Sequence, residues 1–237
     1  MTRLRYNAIT HVGKVRQINE DSIIALEDQK IWVVADGMGG HSGGDFASQT
    51  VVDCVAMIPL DLEPAQSMHA LRDALMDAHA HILAEIAARG VTTIGAAVVS
   101  LMISGENFVC FWAGDCRLYR LREGQIELLT SDHSLVAELV HAGQLSWDEA
   151  EHHPQSNAIT RAVGVGDTLE LEKIRGTIQS GDRFLLCSDG LNKYAGFDLL
   201  RRTLAQGGIE NISNTLLNIA LEGGGADNIS IIVVDVI

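Results

Sequence analysis

Three aspartates of the sequence occupy matching places. Ile31-Trp32-Val33-Val34-Ala35 leads into Asp36-Gly37, Phe184-Leu185-Leu186-Cys187-Ser188 leads into Asp189-Gly190, and Asp227-Asn228 opens the run Ile229 to Val236. Each carboxylate stands at the end of an apolar segment of strand length. If those strands are neighbours, the charges meet at the edge of a core, where their repulsion costs several kcal/mol. Hard divalent cations with oxygen ligands, Mg²⁺ or Mn²⁺, remove that cost. One Asp-Gly is most simply a turn. Several at equivalent strand ends, the first followed by Met38-Gly39-Gly40-His41 and not by a returning strand, point instead to a metal centre. Glycines there let backbone carbonyls and a ligand come close.

Two more clusters suit the same centre. Arg16-Gln17-Ile18-Asn19-Glu20-Asp21 offers a guanidinium and the carboxylates of Glu20 and Asp21 just ahead of a strand. Gly114-Asp115-Cys116-Arg117 follows the strand-like Phe108 to Trp112. An arginine beside metal ions suits a phosphate group, because its planar fork binds a pair of phosphate oxygens at once.

The elements that must position these groups are legible as short apolar runs rich in β-branched residues. They cover Ser22–Leu26, Ile31–Ala35, Ile94–Ile103, Phe108–Trp112, Leu118–Leu121, Gln125–Leu129, Phe184–Cys187 and Ile229–Val236, each bounded by Gly, Asp or Asn. Glu123-Gly124 reads as a hairpin turn. Helical spacing replaces strand spacing between Ala35 and Ile94, through Phe46, Val51, Val52 and Val55, then Met68, Leu71, Leu75, Ala78, Ile82 and Ile86. A second helix pair is predicted over Leu199–Ala205 and Ile212–Leu221. Strands come in runs and so do helices, which predicts an α+β fold with antiparallel sheets. Ser134 to Gln155, with His141, Trp147, His152 and His153, reads as an inserted surface subregion where partners are selected.

Composition narrows the function. The 237 residues carry 17 Lys plus Arg against 31 Asp plus Glu, a formal net charge of -14, and the densest basic stretch is only Arg117 to Arg122. Such a chain repels nucleic acid and anionic lipid, so neither is an expected partner. Four cysteines without a C-x-x-C pair indicate no disulfide framework or zinc knuckle. No apolar signal core opens the chain and no apolar stretch is long enough to span a bilayer, so a cytoplasmic location is expected. With three prolines and no Ser/Gly/Pro-rich linker, residues 1–237 are expected to form a single domain.

The ordered set of motifs resembles the bacterial form of the PPM-type, metal-dependent Ser/Thr protein phosphatases, the protein phosphatase 2C family. The match runs through Arg16-x-x-Asn19-Glu20-Asp21, Asp36-Gly37-Met38-Gly39-Gly40-His41, Thr92-Thr93, Gly114-Asp115-Cys116-Arg117, Asp132-His133-Ser134, Asn157-x-Ile159-Thr160-Arg161-Ala162-x-Gly164, Ser188-Asp189-Gly190-Leu191 and Asp227-Asn228-Ile229-Ser230. The resemblance implies a β-sandwich of antiparallel sheets flanked by helix pairs. It implies that Asp36 bridges a pair of Mn²⁺ or Mg²⁺ ions, with the Gly37 carbonyl, Asp189 and Asp227 as further ligands. Glu20 and Asp21 act directly or through water, Asp115 helps hold a third, weaker ion, and Arg16 binds phosphate. Residues 134–156 correspond to the variable flap. The implied reaction is attack of a metal-activated water on phosphoserine or phosphothreonine, without a covalent phosphoenzyme. Implied partners are phosphorylated proteins and a cognate Ser/Thr kinase, some short bacterial members opposing kinases that control protein secretion; the chain is expected to be a monomer.

The chain departs from the family at several positions. Gly90-Val91-Thr92-Thr93 replaces the frequent Met-Gly-Thr-Thr, and Cys116 stands where Ser is common. Met38 sits where eukaryotic relatives have the histidine proposed as general acid, which leaves the proton donor open between His41, three residues on, and a metal-bound water. Cys116-x5-Arg122 matches the spacing of cysteine-dependent phosphatases, but its bulky alternating spacer reads as a strand and not as a phosphate loop. Gly37 to Gly44 is no Walker loop, since no Gly-Lys-Ser/Thr follows. His79 and His81 fall on different faces of a helix, and Met57, Met68, Met76 and Met102 read as core filler. A metal-binding pseudophosphatase and a phosphatase of the same fold acting on an anti-sigma-factor antagonist stay open as alternatives.

Overall fold

The computed structural model describes residues 3–39, 43–146, 149, 153–155 and 158–237. The expected strands form, their ends shifted by up to three residues: β2 (Asp21–Leu26), β3 (Ile31–Met38), β4 (Gly95–Ser104), β5 (Asn107–Ala113), β6 (Arg117–Arg122), β7 (Gln125–Leu128), β9 (Arg183–Cys187) and β10 (Ile229–Val236). β1 (Leu4–His11) and β8 (Glu172–Thr177) add to that set. Two five-stranded sheets result, ordered β1-β10-β9-β6-β7 and β2-β3-β4-β5-β8, with antiparallel pairing throughout. Both additions to the expected set lie at sheet edges, half in solvent, so their sequences LRYNAITH and EKIRGT carry no apolar run.

The near-continuous apolar runs of the inner strands have a simple cause: both faces of each sheet are covered. On β3, Ile31, Val33 and Ala35 pack with Leu71, Leu75 and Ile82 of the long helix α2 (Pro64–Arg89) and with Val51 of α1 (Gly44–Ala56). The alternate residues Trp32 and Val34 meet Phe184, Leu186 and Ile232 of the other sheet. β10 divides in the same way. Ile232 and Val234 face the sandwich interior, while Ile229, Ile231 and Val233 pack with Leu200 and Leu216 of the helices Phe197–Gln206 and Ile212–Gly223. The layers are therefore helices, sheet, sheet, helices.

Local signals set the ends. Pro64 opens α2 while the Gln66 side chain accepts the N–H of Glu63, and Gly90 closes it at φ 64° with its N–H on the Ile86 carbonyl. Glu123 and Gly124, at φ 50° and 75°, make the expected hairpin turn between β6 and β7. The helix α3 (Leu135–His141) starts on Ser134, whose Oγ accepts from the Ala137 N–H. It is the described helix of the predicted surface subregion; Trp147 and His152 lie outside the described residues. One expectation fails. Met57 is 80% exposed instead of core, because it is the C-cap of α1, past Val55, the last buried residue of that helix.

Candidate functional site

The register of the β2–β3 pair sets Asp21 directly opposite Asp36. Cross-strand partners point to the same face, so two carboxylates are held side by side, an arrangement that is unfavourable without a counter-charge. Asp115 follows the end of β5 in the same sheet. The other sheet supplies Asp189, in the single-turn helix α4 (Asp189–Asn192) after β9, and Asp227, just ahead of β10, which pairs with β9. Carboxylates from both sheets thus converge at one end of the sandwich. Ser188 ties the halves together: its Oγ donates to Asp21 Oδ2 at 2.8 Å and accepts the Ser230 N–H at 3.0 Å.

Asp36, Asp115, Asp189 and Asp227 line a cavity of about 290 Å³ with Arg16, Glu20, Gly37, Met38, Gly39, Ala97, Ile159, Lys193 and Asn228. All the described candidates of the sequence reading are therefore together: Arg16, Glu20, Asp36, Gly37, Asp115, Asp189 and Asp227 at the cavity, and Asp21 behind Asp36. His41 lies outside the described residues. Another cavity, of about 270 Å³, is lined by Asp28, Lys30, Leu60 and Asp61 near the β2–β3 turn, and its carboxylates are solvent-exposed.

The electrostatics follow from burial. Asp36 lines the cavity, and its pKa lies well above the usual carboxylate range because burial disfavours its charge and it faces Asp21, Asp189, Asp115 and Asp227. Burial also pushes Asp115 to about 7, with Asp189 and Asp132 adding to the rise. Asp21 rises to about 6 through burial, in spite of the hydroxyl hydrogen bonds it accepts. Glu20 is raised by burial as well. Asp227 goes the other way. Burial works to raise it, but the Arg16 hydrogen bond, the Lys193 charge and the Asn228 N–H outweigh burial and hold it below its ordinary value.

Arg16 grips Asp227 with two contacts, Nε to Oδ1 at 2.9 Å and Nη2 to Oδ2 at 3.1 Å, while its side chain stays half exposed at the cavity mouth. Lys193 lies 2.8 Å from Asp189 Oδ2 and 3.3 Å from Asp227 Oδ2. Among the described residues, no three His, Cys, Asp or Glu side chains are already disposed to hold a metal ion. The donor set nevertheless fits a hard divalent cation. It is all oxygen, it is more negative than its protein partners balance, and Asp21 Oδ1 is buried with no hydrogen-bond partner. Gly37 lets the Gly44 and Glu20 backbones close on the end of β3: a Cβ there would stand 2.0 Å from the Gly44 carbonyl oxygen and 2.5 Å from that of Glu20.

Several supporting residues went without a role in the sequence reading. Asn228 accepts the Glu20 N–H through Oδ1 and donates through Nδ2 to the Val12 and Ile18 carbonyls, fastening the Arg16–Glu20 loop to β10. His133 accepts the Gly114 N–H at its Nδ1 and stacks on Trp112, steadying the Asp115 turn. Asp132 and Ser134 of the same motif are structural too, on Arg117 and on α3. Lys193 was missed altogether, although its place four residues after Asp189 puts both on one side of a helical turn.

The rival constellations dissolve. Cys116 is buried, its thiol pushed up by burial and the neighbouring aspartates, and Arg122 is committed to Asp182 at the far end of β6. His79 takes the Gly164 N–H at Nδ1, whereas His81 Nδ1 lies 3.6 Å from Cys54 Sγ.

The model of the family described as Protein phosphatase 2C matches residues 11–218. The serine/threonine protein phosphatase PstP of Mycobacterium tuberculosis is 34% identical over 236 residues, covering 99% of this chain and 45% of PstP. The chain thus spans under half the length of that curated relative. Protein phosphatase PhpP of Streptococcus pneumoniae is 31% identical over 98% of this chain and 97% of its own. Among solved structures, PppA, described as a key regulatory component of T6SS in Pseudomonas aeruginosa, superposes with a TM-score of 0.91 at 40% identity over 99% of this chain and 98% of its own. The catalytic domain of PstP in complex with two manganese ions gives 0.87 at 31% identity over the whole of both chains. The chain belongs to the protein phosphatase 2C family. No described helix is long and apolar enough to cross a membrane.

Proposed function

We propose that residues 1–237 form one metal-dependent protein serine/threonine phosphatase domain, hydrolysing phosphoserine and phosphothreonine of phosphoproteins. The observation that carries this reading is the convergence of buried, mutually repelling carboxylates from both sheets beneath a half-exposed arginine. Asp36, the Gly37 carbonyl, Asp189 and Asp227 are the residues that would hold the pair of Mn²⁺ or Mg²⁺ ions, with Glu20 and Asp21 supporting them and Asp115 serving a third. When bound, such ions neutralise the carboxylates, lower the pKa of water and offset phosphate charge. The likeness to a PstP domain solved with two manganese ions supports that assignment.

The chain's own groups supply the rest. Arg16 presents its guanidinium where a phosphate would enter, with one edge steadied on Asp227. The carboxylates of the described lining are assigned to metal, which leaves water as the proposed nucleophile. The serine or threonine alkoxide that leaves takes up a proton, and His41 is the proposed donor. Residues 134–156 are proposed as the flap that touches the substrate protein. A monomeric cytoplasmic enzyme working against a Ser/Thr kinase is the proposed setting. The likeness to a key regulatory component of T6SS supports secretion control as its process.

The test is hydrolysis of p-nitrophenyl phosphate and a phosphothreonine peptide with Mn²⁺, with Mg²⁺ and with chelator. Metal-dependent, chelator-reversible phosphate release is expected. No release from a folded sample with any metal would refute the reading.

A further inference from the structure

Lys193 is the one charged residue of the described cavity lining that the metal-phosphatase reading leaves without work. It caps the single turn that begins at Asp189, and its ammonium sits between two carboxylates from neighbouring strands of one sheet: 2.8 Å from Asp189 Oδ2, on the turn after β9, and 3.3 Å from Asp227 Oδ2, ahead of β10. The side chain is two-thirds covered, so the contact is not a surface pair loosely screened by water. Arg16 takes Asp227 from its exposed side. Asp189 and Asp227 are therefore the neutralised half of the cluster, whereas Asp36 and Asp115 accept no hydrogen bond from any described lysine or arginine.

We propose that Lys193 is a built-in competitor of divalent metal at Asp189 and Asp227, which steadies the metal-free fold and sets how tightly the site takes up its ions. The proposal rests on the metal-centre reading above. An ion that draws lone pairs from both carboxylates must take them from the ammonium, and two cations a few ångströms apart repel. Uptake of metal therefore requires Lys193 to move off, and the free energy of its ion pairs is subtracted from the apparent affinity. Position in sequence keeps the competitor at hand: four residues on a helical turn leave the ammonium within reach of Asp189.

The test compares wild type with K193M and K193R, each stripped of metal with chelator and dialysed. Calorimetric titration with Mn²⁺ is the first readout, and the thermal midpoint with chelator and with saturating Mn²⁺ is the second. K193M is expected to bind its tightest Mn²⁺ about tenfold more strongly than wild type, on the scale of one partly buried charge pair. Its midpoint should fall below wild type in chelator, and the gap should close with Mn²⁺. K193R, which keeps the charge, should bind like wild type. Should K193M not fold without metal, K193Q takes its place, keeping a hydrogen-bond donor but no charge. Equal or weaker Mn²⁺ binding by the uncharged variant overturns the proposal. A wild type that takes up no Mn²⁺ refutes instead the metal reading beneath it, so the two failures are distinct.

Discussion

Asp132, Asp182 and Asp235 are each clasped by an arginine through a pair of hydrogen bonds: Arg117 at 2.8 and 2.6 Å, Arg122 at 2.7 and 2.6 Å, and Arg183 at 2.6 and 2.8 Å. Asp21, Asp36 and Asp115, equally set into the body of the protein, have no such clasp and repel one another. The same chain thus treats its enclosed carboxylates in two ways. Where an aspartate fastens strands or loops, a fixed guanidinium answers it. At the cavity the negative charge is left in excess, and the cation that would balance it has to come from solution. Arg117 follows Asp115 by two residues and still goes to Asp132, so the lack of a clasp at Asp115 is not a shortage of candidates.

Breaking either side of this contrast should give opposite results. D36N is expected to lower turnover with excess Mn²⁺ by at least tenfold, and by more if Asp36 bridges the ions. Its thermal midpoint in chelator should not fall, because one of the repelling charges is gone. Retention of more than about a tenth of the activity would remove Asp36 from the ligand set. D182A should do the reverse. It leaves Arg122 with only the Thr177 carbonyl and the Gln179 N–H without its acceptor, costing about 2–3 kcal/mol in urea unfolding. Metal-dependent turnover of the folded fraction should stay near wild type, and a large loss there would blur the division drawn above.

The pH dependence sharpens the contrast. Burial raises Asp115 to about 7, so in the metal-free protein its contribution is favourable below its unfolded pKa and is lost as pH rises through 7. D115N carries no such penalty. In chelator it should be more stable than wild type at pH 8, and the difference should vanish toward pH 4. A difference that is constant with pH would mean that Asp115 is balanced by a partner after all. The smallest effect is expected at the mouth of the cavity: R16A should raise KM for a phosphopeptide several-fold with a lesser change in kcat, because Arg16 is half exposed and water replaces part of its contact. An unchanged KM would take it out of phosphate binding.

Much of this was legible in the residues. β3, β9 and β10 are buried on both faces, so their apolar runs and the aspartates at their ends stood out against the rest of the chain. Which strands lie side by side was not legible from those runs, since a strand covered on both faces carries no alternation to say which partner it takes. The two-sheet architecture came from family resemblance. β1 and β8 escaped because edge strands are half solvent and mix polar with apolar residues. The pairing of Asp21 with Asp36 depends on register, and the bracing by Ser188 and Ser230 depends on contacts 42 or more residues apart in sequence. Neither leaves a local trace. Lys193 did leave one, at helical spacing from Asp189, hidden by the brevity of the turn that carries it.

The uncompensated carboxylates are proposed as a place for divalent cations. Thermal unfolding of chelator-treated protein, repeated with rising Mn²⁺ and with D36N alongside, tests that proposal most directly. At a hundred times the dissociation constant, wild type should gain about 5–10 °C, while D36N gains little. A wild-type midpoint indifferent to Mn²⁺ and Mg²⁺, or an equal gain in both proteins, would contradict the account.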